Sequence, residues 1–214
     1  MNVIILIYRY LQPYPMLSLL SILVAAAKGK KSHALETIEV DPFSIKKWIT
    51  PKEEPDISNS WPGQVKGGDW HLRAKELQSC GAGCDIDYLK QKAIYERYDE
   101  GKPWRETQLF MRCYEKRLSL GPVRNNRTVS ELVSYYESTY DAIYQDISMN
   151  GIRTPTLRDP NPTFIYVHVG PEGEVIASDN GNHRIAMAKQ LGLRSISVKV
   201  LRMHIGAVNS RSVV

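Results

Sequence analysis

Apolar positions recur along this chain with two different periods. From Leu132 they fall at Tyr136, Tyr140, Ile143 and Ile147, the three- and four-residue spacing of a single helix face. Thr128-Val129-Ser130-Glu131 stands at the start of this run and Asn150-Gly151 at its end. Thr followed three residues later by Glu is a capping box, in which each side chain satisfies a backbone N–H, and a glycine past the last turn closes a helix. The pattern predicts a helix from Thr128 to Asn150 with its tyrosine-rich stripe in the core. Two more helices are predicted upstream. One runs from about Asp85 to Glu100, and the other follows Pro103-Trp104 with Phe110, Tyr114 and Leu118 four residues apart. Their charges, including Lys90, Lys92, Arg97, Arg112 and Arg117, read most simply as solvated faces, with a nucleic-acid groove as the lesser alternative.

A period of two appears elsewhere and marks strands. Ile165, Val167 and Val169 alternate with Tyr166 and His168, Glu174 to Ala177 forms a short run, and Ile196, Val198 and Val200 alternate with Ser197 and Lys199. Ser195 to Leu201 is therefore expected to be half-buried. Ala34 to Val40 reads as a first strand, and Asp41-Pro42 as a turn into a short helix reaching Ile49. From Thr50 to Cys84 the chain is rich in Pro, Gly, Ser and charge, which predicts a long irregular connection, with Trp70 either anchoring it to the core, the commoner case, or covering a pocket.

The first 27 residues are strongly apolar, but Arg9, Gln12, Pro13 and Pro15 break the run short of the ~20 residues a membrane helix needs. Leu17 to Ala27 resembles the hydrophobic region and small-residue end of a signal peptide, without a clear basic region before it. A helix packed on the body or resting on a membrane surface through residues 1–31, with Lys28, Lys30 and Lys31 at its flank, is the other reading. Met16 offers a second translation start.

Composition narrows the picture further. Over 214 residues, 43% hydrophobic and 24% charged, the chain can build a real core, which excludes wholesale disorder. Cys80, Cys84 and Cys113 are an odd set of three, so no disulfide framework is expected and a reducing, cytoplasmic setting is the default. Cys80-Gly81-Ala82-Gly83-Cys84 lacks the further ligands that a structural zinc site requires. No metal ligands are assigned. The net charge of +5 is compatible with nucleic acid, nucleotides or an anionic membrane and selects none of them.

The candidate chemistry lies in Ser178-Asp179-Asn180-Gly181-Asn182-His183-Arg184, a polar turn between the strand ending at Ala177 and a helix, Ile185 to Gly192, with Ile185, Ala188 and Leu191 as its apolar positions. Unpaired N–H groups and the positive end of the dipole make a helix start receptive to anions. Asn182, His183 and Arg184 add side-chain donors, so Gly181 to Arg184 reads as a phosphate cradle. The plainer alternative is turn chemistry, with Asn182 as an N-cap. His168, two elements away, reads either as a packing histidine or as a further ligand contact.

The order of elements from Tyr140 onward, with Ile143 to Pro155 followed by Asp179-Asn180-Gly181-Asn182-His183-Arg184, resembles the ParB/sulfiredoxin superfamily. Thr37 to Pro42 resembles that family's first strand. The resemblance implies an α/β (mixed α+β) domain, a small sheet with flanking helices, over residues 34–204. An inserted helical region of about 50–128 interrupts it, an apolar segment 1–33 precedes it and a tail 205–214 follows. It also implies a nucleotide, ATP or CTP with Mg²⁺, or another phosphorylated small molecule at the turn. Sulfiredoxins carry cysteine where this chain has Asn182, so sulfinic acid reduction is not expected. No helix-turn-helix or clamp segment is expected in the thirteen residues after Leu201. The acidic turn followed by His-Arg is closer to the free-serine kinase branch. Two readings follow. The chain is a phosphotransferase or nucleotide hydrolase, with Arg184 and His183 at the phosphates and Glu39, Asp41 or Asp179 as the acidic group. Alternatively, it is a non-catalytic module that holds nucleic acid or a phosphorylated ligand in the same cradle.

Overall fold

The computed structural model describes residues 37–60, 63–76, 86–152 and 164–211. The apolar N-terminal segment, Trp61, Cys80 to Cys84, Arg153 to Arg158 and the Asp159 to Pro162 turn lie outside these residues. No described helix is long and apolar enough to cross a membrane. The fold is mixed α+β, and the chain divides into two compact units. Residues up to 76, 153–181 and 195 onward form a sheet unit; 77–152 and 182–194 form a helical unit. The expected insertion of about 50–128 is thus redrawn: residues 50–76 belong to the sheet, and the helix after the polar turn belongs with the other helices.

The sheet unit contains β1 (Thr37–Val40), β2 (Lys47–Trp48), β3 (Gln64–Lys66), β4 (Lys75–Glu76), β5 (Tyr166–Val169), β6 (Val175–Ala177) and β7 (Ile196–His204). The sheet order is β1-β7-β5-β6-β2-β4, with β3 paired to the far half of β7. β7 is its axis, antiparallel to β1 and parallel to both β5 and β3. Residues on both faces of β7 are buried: Ile196, Val198, Val200 and, beyond a register shift, Met203 on one face, and Ser197 and Arg202 on the other. A strand flanked on both sides and covered on both faces reads as nearly continuous apolar sequence, so the expected half-burial is exceeded.

The predicted helix over 42–49 is replaced by a 3-10 turn, Pro42–Ser44, capped by the Asp41 carboxylate on Phe43 N, followed by β2. Ile45, Trp48 and Ile49 have helix-like spacing, but Trp48 pairs with Ala177 of β6 and Ile49 N donates to the Ala177 carbonyl at 3.0 Å. Pairing with a strand distant in sequence overrides the local preference. The connection after Thr50 is anchored as expected: Trp70 is 3% exposed and shares a small core with Ile49, Ile57 and Ile176. Beyond β7 the chain forms α6 (Ile205–Arg211) rather than a tail.

In the helical unit, α1 (Ile86–Tyr98) is followed by a π-helical turn (Phe110–Tyr114) that runs into α2 (Glu115–Leu118). Then come α3 (Val129–Tyr136), a second π-helical turn (Glu137–Asp141), α4 (Ala142–Asn150) and α5 (Asn182–Gln190). The capping box is present: Thr128 Oγ1 accepts from Glu131 N at 3.1 Å, and the Glu131 carboxylate accepts from Thr128 N at 3.3 Å. The tyrosine stripe lies in the core, where Tyr136 and Tyr140 stack with ring centroids 4.4 Å apart. Trp104, fully buried, packs edge-on to Tyr136.

Asp141 ties this core together. Its carboxylate accepts from Trp104 Nε1 at 2.9 Å, Tyr98 OH at 2.8 Å and Arg97 Nη2 at 2.7 Å. Arg97 is therefore paired rather than simply solvated. Removing one carboxylate leaves three donors without their acceptor, each costing about 1–3 kcal/mol if it stays buried. Asp141→Ala is expected to destabilise the helical unit by about 3 kcal/mol in chemical denaturation, and Asp141→Asn by less because it keeps one acceptor oxygen.

Candidate functional site

The polar turn begins in the sheet unit. Ser178 follows β6, its N–H donating to Tyr166 O at 3.1 Å and its Oγ accepting from Asn180 N at 3.1 Å. Asp179 and Asn180 are exposed at the tip. Gly181 has φ +97° and an added Cβ would lie 3.0 Å from Ile165 Cα, so both backbone conformation and space demand glycine here.

Glu39 and Asp41 stand at the edge of the sheet, with β7 and β5 between β1 and β6. Three strand spacings amount to ~14 Å, so neither carboxylate is brought to Asp179. Their observed roles are local: Glu39 accepts from Ser195 Oγ at 2.8 Å, and Asp41 caps its own turn. His168 lies on β5, 1% exposed, with its ring 5.9 Å from that of Trp70. Burial, then the nearby Arg202 charge, push its pKa down to about 3.

In the helical unit, the first residues of α5 turn inward. Asn182 Nδ2 donates to Asp87 Oδ1 of α1 at 3.0 Å, and the same oxygen accepts from Lys90 Nζ at 2.5 Å. His183 packs against Tyr140 and Tyr136, with ring centroids 4.4 and 5.8 Å away, and its Nε2 lies 3.4 Å from Tyr136 OH. Burial first, then Lys90 and Arg124, hold its pKa well below the ordinary histidine range. His183 is therefore a neutral ring in the core and brings no positive charge to a phosphate. Arg184 is half-buried; burial lowers its pKa, while Tyr140 and Asp146 oppose the shift. Asn182 and His183 thus dock α5 onto its neighbours, while Asn182 Oδ1, also buried, finds no partner among the described residues.

An open space does exist in this unit. A cavity of about 530 Å³ is bounded by the cations Lys90, Arg117 and Arg124, by Tyr114, and by apolar groups including Ile86 and Val123. Tyr114 OH is 2.6 Å from Tyr136 OH, so a chain of hydroxyls runs from the cavity wall to His183. Arg124 sits on a two-residue turn closed by reciprocal Val123 and Asn126 backbone hydrogen bonds of 2.9 Å. Arg124 and Asn125 have φ of 51° and 65°, the left-handed pair that this turn type demands. Such a conformation costs a non-glycine residue about 1–2 kcal/mol. It holds the Arg124 guanidinium 5.5 Å from the Tyr140 ring centroid and 6.0 Å from that of Tyr136.

Lys90 and Arg117, read from sequence as solvated charge, are cavity residues, and Arg124 and Tyr114 were not expected as site residues. The Val123-Arg124-Asn125-Asn126 run carries a turn signal, but nothing local says which helix face it will cover. No family model, curated protein or solved structure matches the chain.

His183 makes stability depend on pH. Its folded pKa is depressed, so below the unfolded value of 6.5 the unfolded chain binds more protons than the folded one. The stability it contributes is complete above that pH and falls by about 1.4 kcal/mol per unit on acidification. In urea unfolding followed by the near-ultraviolet signal of the tyrosine cluster, His183→Gln is expected to flatten the decline between pH 6.5 and 5 by that amount.

Proposed function

We propose that the helical unit binds a phosphate-bearing small molecule of nucleotide size in the cavity bounded by Lys90, Arg117 and Arg124. The observation that carries this reading is the convergence of three cations on one cavity that also has an apolar wall. Arginine presents a planar fork to phosphate oxygens, lysine a point charge, and Tyr114 a neutral hydroxyl. Ile86 and Val123 supply surface for a sugar or base, and a volume of about 530 Å³ falls within the ordinary range for small-molecule sites. The resemblance to the ParB/sulfiredoxin superfamily supports a nucleotide, ATP or CTP, as the ligand to try first. It places recognition at Gly181 to Arg184, whereas the cavity draws on α1, the Phe110–Leu118 helix and the Arg124 turn.

Binding is better supported than turnover. Glu39 and Asp41, two of the acidic groups expected to act as base, are engaged locally by Ser195 Oγ and Phe43 N. Asp87 is engaged by Lys90 and Asn182. Among the described residues, no three His, Cys, Asp or Glu side chains group as metal ligands. A Mg²⁺ ion arriving with a triphosphate can be held by the phosphate oxygens together with one or two carboxylates, so its effect on binding is left to experiment.

The test is a thermal-shift and calorimetric titration of the full chain with ATP, CTP, ADP and inorganic phosphate, with and without Mg²⁺. A ligand at ~100 times its dissociation constant adds about 2.7 kcal/mol to stability. Arg117→Ala and Arg124→Gly are each expected to weaken binding by about tenfold or more, the worth of a charge-assisted hydrogen bond. Arg124→Gly should leave stability within about 1 kcal/mol, because relief of the left-handed turn offsets the lost tyrosine contacts. Equal nucleotide binding by parent and both variants sinks the assignment. Steeply salt-dependent binding of single-stranded nucleic acid, with no response to nucleotides, replaces it with the nucleic-acid reading.

A further inference from the structure

The most exposed large hydrophobic side chain among the described residues is Leu120, at 83%, so packing within the folded chain does not account for it. It also bounds the cavity of Lys90, Arg117 and Arg124, and therefore stands where that cavity meets solvent. Its backbone is fixed. Leu120 N donates to Arg117 O at 3.0 Å and Gly121 N to the same oxygen at 3.1 Å, at the end of α2, and the Ser119 hydroxyl donates to Lys116 O at 2.7 Å. The reciprocal Val123 and Asn126 bonds hold the other end of the segment.

Four apolar side chains, Ile86, Leu120, Pro122 and Val123, thus share one cavity with three cations. A phosphate takes the cations, and what remains of the ligand lies against hydrocarbon. A sugar or other polyol set against those side chains loses water from its hydroxyls and gains no hydrogen bond from them. A nucleobase presents weakly hydrated faces to the same wall and keeps its polar edge for solvent or backbone groups. Covering Leu120 is favourable because water leaves both surfaces, and its backbone, already held at both ends of the segment, needs little further ordering.

We propose that Leu120, together with Pro122 and Val123, is the specificity-determining contact for a nucleobase in this cavity, so that its ligand is a nucleotide rather than a sugar phosphate or free phosphate. This rests on the reading of the cavity as a phosphate site and extends it to the organic half of the ligand. An alkyl phosphate meets the same hydrocarbon, but its flexible chain must be immobilised bond by bond, whereas a base is rigid before it binds.

The test is a calorimetric titration of the full chain with AMP, with the same ribose phosphate lacking the base, and with octyl phosphate. AMP is expected to bind about tenfold or more tightly than the base-free compound. Leu120→Ala should weaken AMP by about tenfold and leave the base-free compound unchanged, and Leu120→Met, which keeps apolar surface of similar volume, should restore AMP binding. The side chain is exposed, so each variant should unfold in denaturant at the parent's midpoint. Equal or tighter binding of the base-free compound overturns the proposal. So does octyl phosphate binding more tightly than AMP, or a loss in Leu120→Ala that is the same for AMP and the base-free compound. Arg117→Ala distinguishes failure of this contact from failure of the cavity. If it weakens both compounds while Leu120→Ala weakens neither, only the assignment of Leu120 falls. If no compound binds the parent, or Arg117→Ala changes nothing, the phosphate site itself is lost and the nucleobase contact with it.

Discussion

A polar group taken out of water must find a partner inside the protein or cost several kcal/mol, and both units of this molecule are arranged around that constraint. In the helical unit it is met at Asp141, where one carboxylate receives an indole, a phenol and a guanidinium. It is met again where Asn182 reaches Asp87 and where Tyr114, Tyr136 and His183 join hydroxyl to hydroxyl to ring. These contacts decide which aromatic faces meet, and so how the helices pack. Among the described residues the same constraint is left unmet at buried atoms in both units: around Trp70 in the sheet unit, and at Asn182 Oδ1 and Gln91 Nε2 in the helical unit.

The aromatic core of the helical unit also shapes its cavity. Two π-helical turns, Phe110–Tyr114 and Glu137–Asp141, occur where Tyr114, Tyr136 and Tyr140 must all point inward. An extra residue in a helical turn shifts the register of the following face, and such turns are frequent at functional sites. Arg124, on a left-handed turn that disfavours its own side chain, lies over the outer side of this tyrosine group. Backbone strain persists only where the surrounding structure holds it in place, and here it presents a cation to the cavity. Function and packing are thus linked through the same rings.

Much of the fold was legible along the chain. The Thr128 capping box, the tyrosine stripe, the α1 helix and the strands around Val167, Ile176 and Val198 all follow from local periodicity and local hydrogen bonding. The failures share one cause. Residues 45–49 have the spacing of a helix face but pair with β6, more than a hundred residues away in sequence, and residues 205–211 form a helix where a tail was expected. At the site, the polar turn alone says nothing of what covers it, and only the fold shows Asn182 reaching Asp87 and His183 lying against Tyr136 and Tyr140. Lys90, Arg117 and Arg124 were passed over because a charge on a helix or turn has no local mark of what it faces.

The sequence by itself determined the Thr128 cap, the tyrosine stripe of the helix that follows it and the alternation of the strands, since each depends on residues within a few positions of one another. Only the tertiary structure decided that β7 is the axis of the sheet, that α5 belongs with the helices rather than with the strands on either side of it, and that His183 is a neutral core ring. Only it, too, gathered three cations at one cavity and, around Trp70, four buried polar atoms with no partner among the described residues. Burial and charge environment are sums over groups far apart in sequence, and no local window contains them.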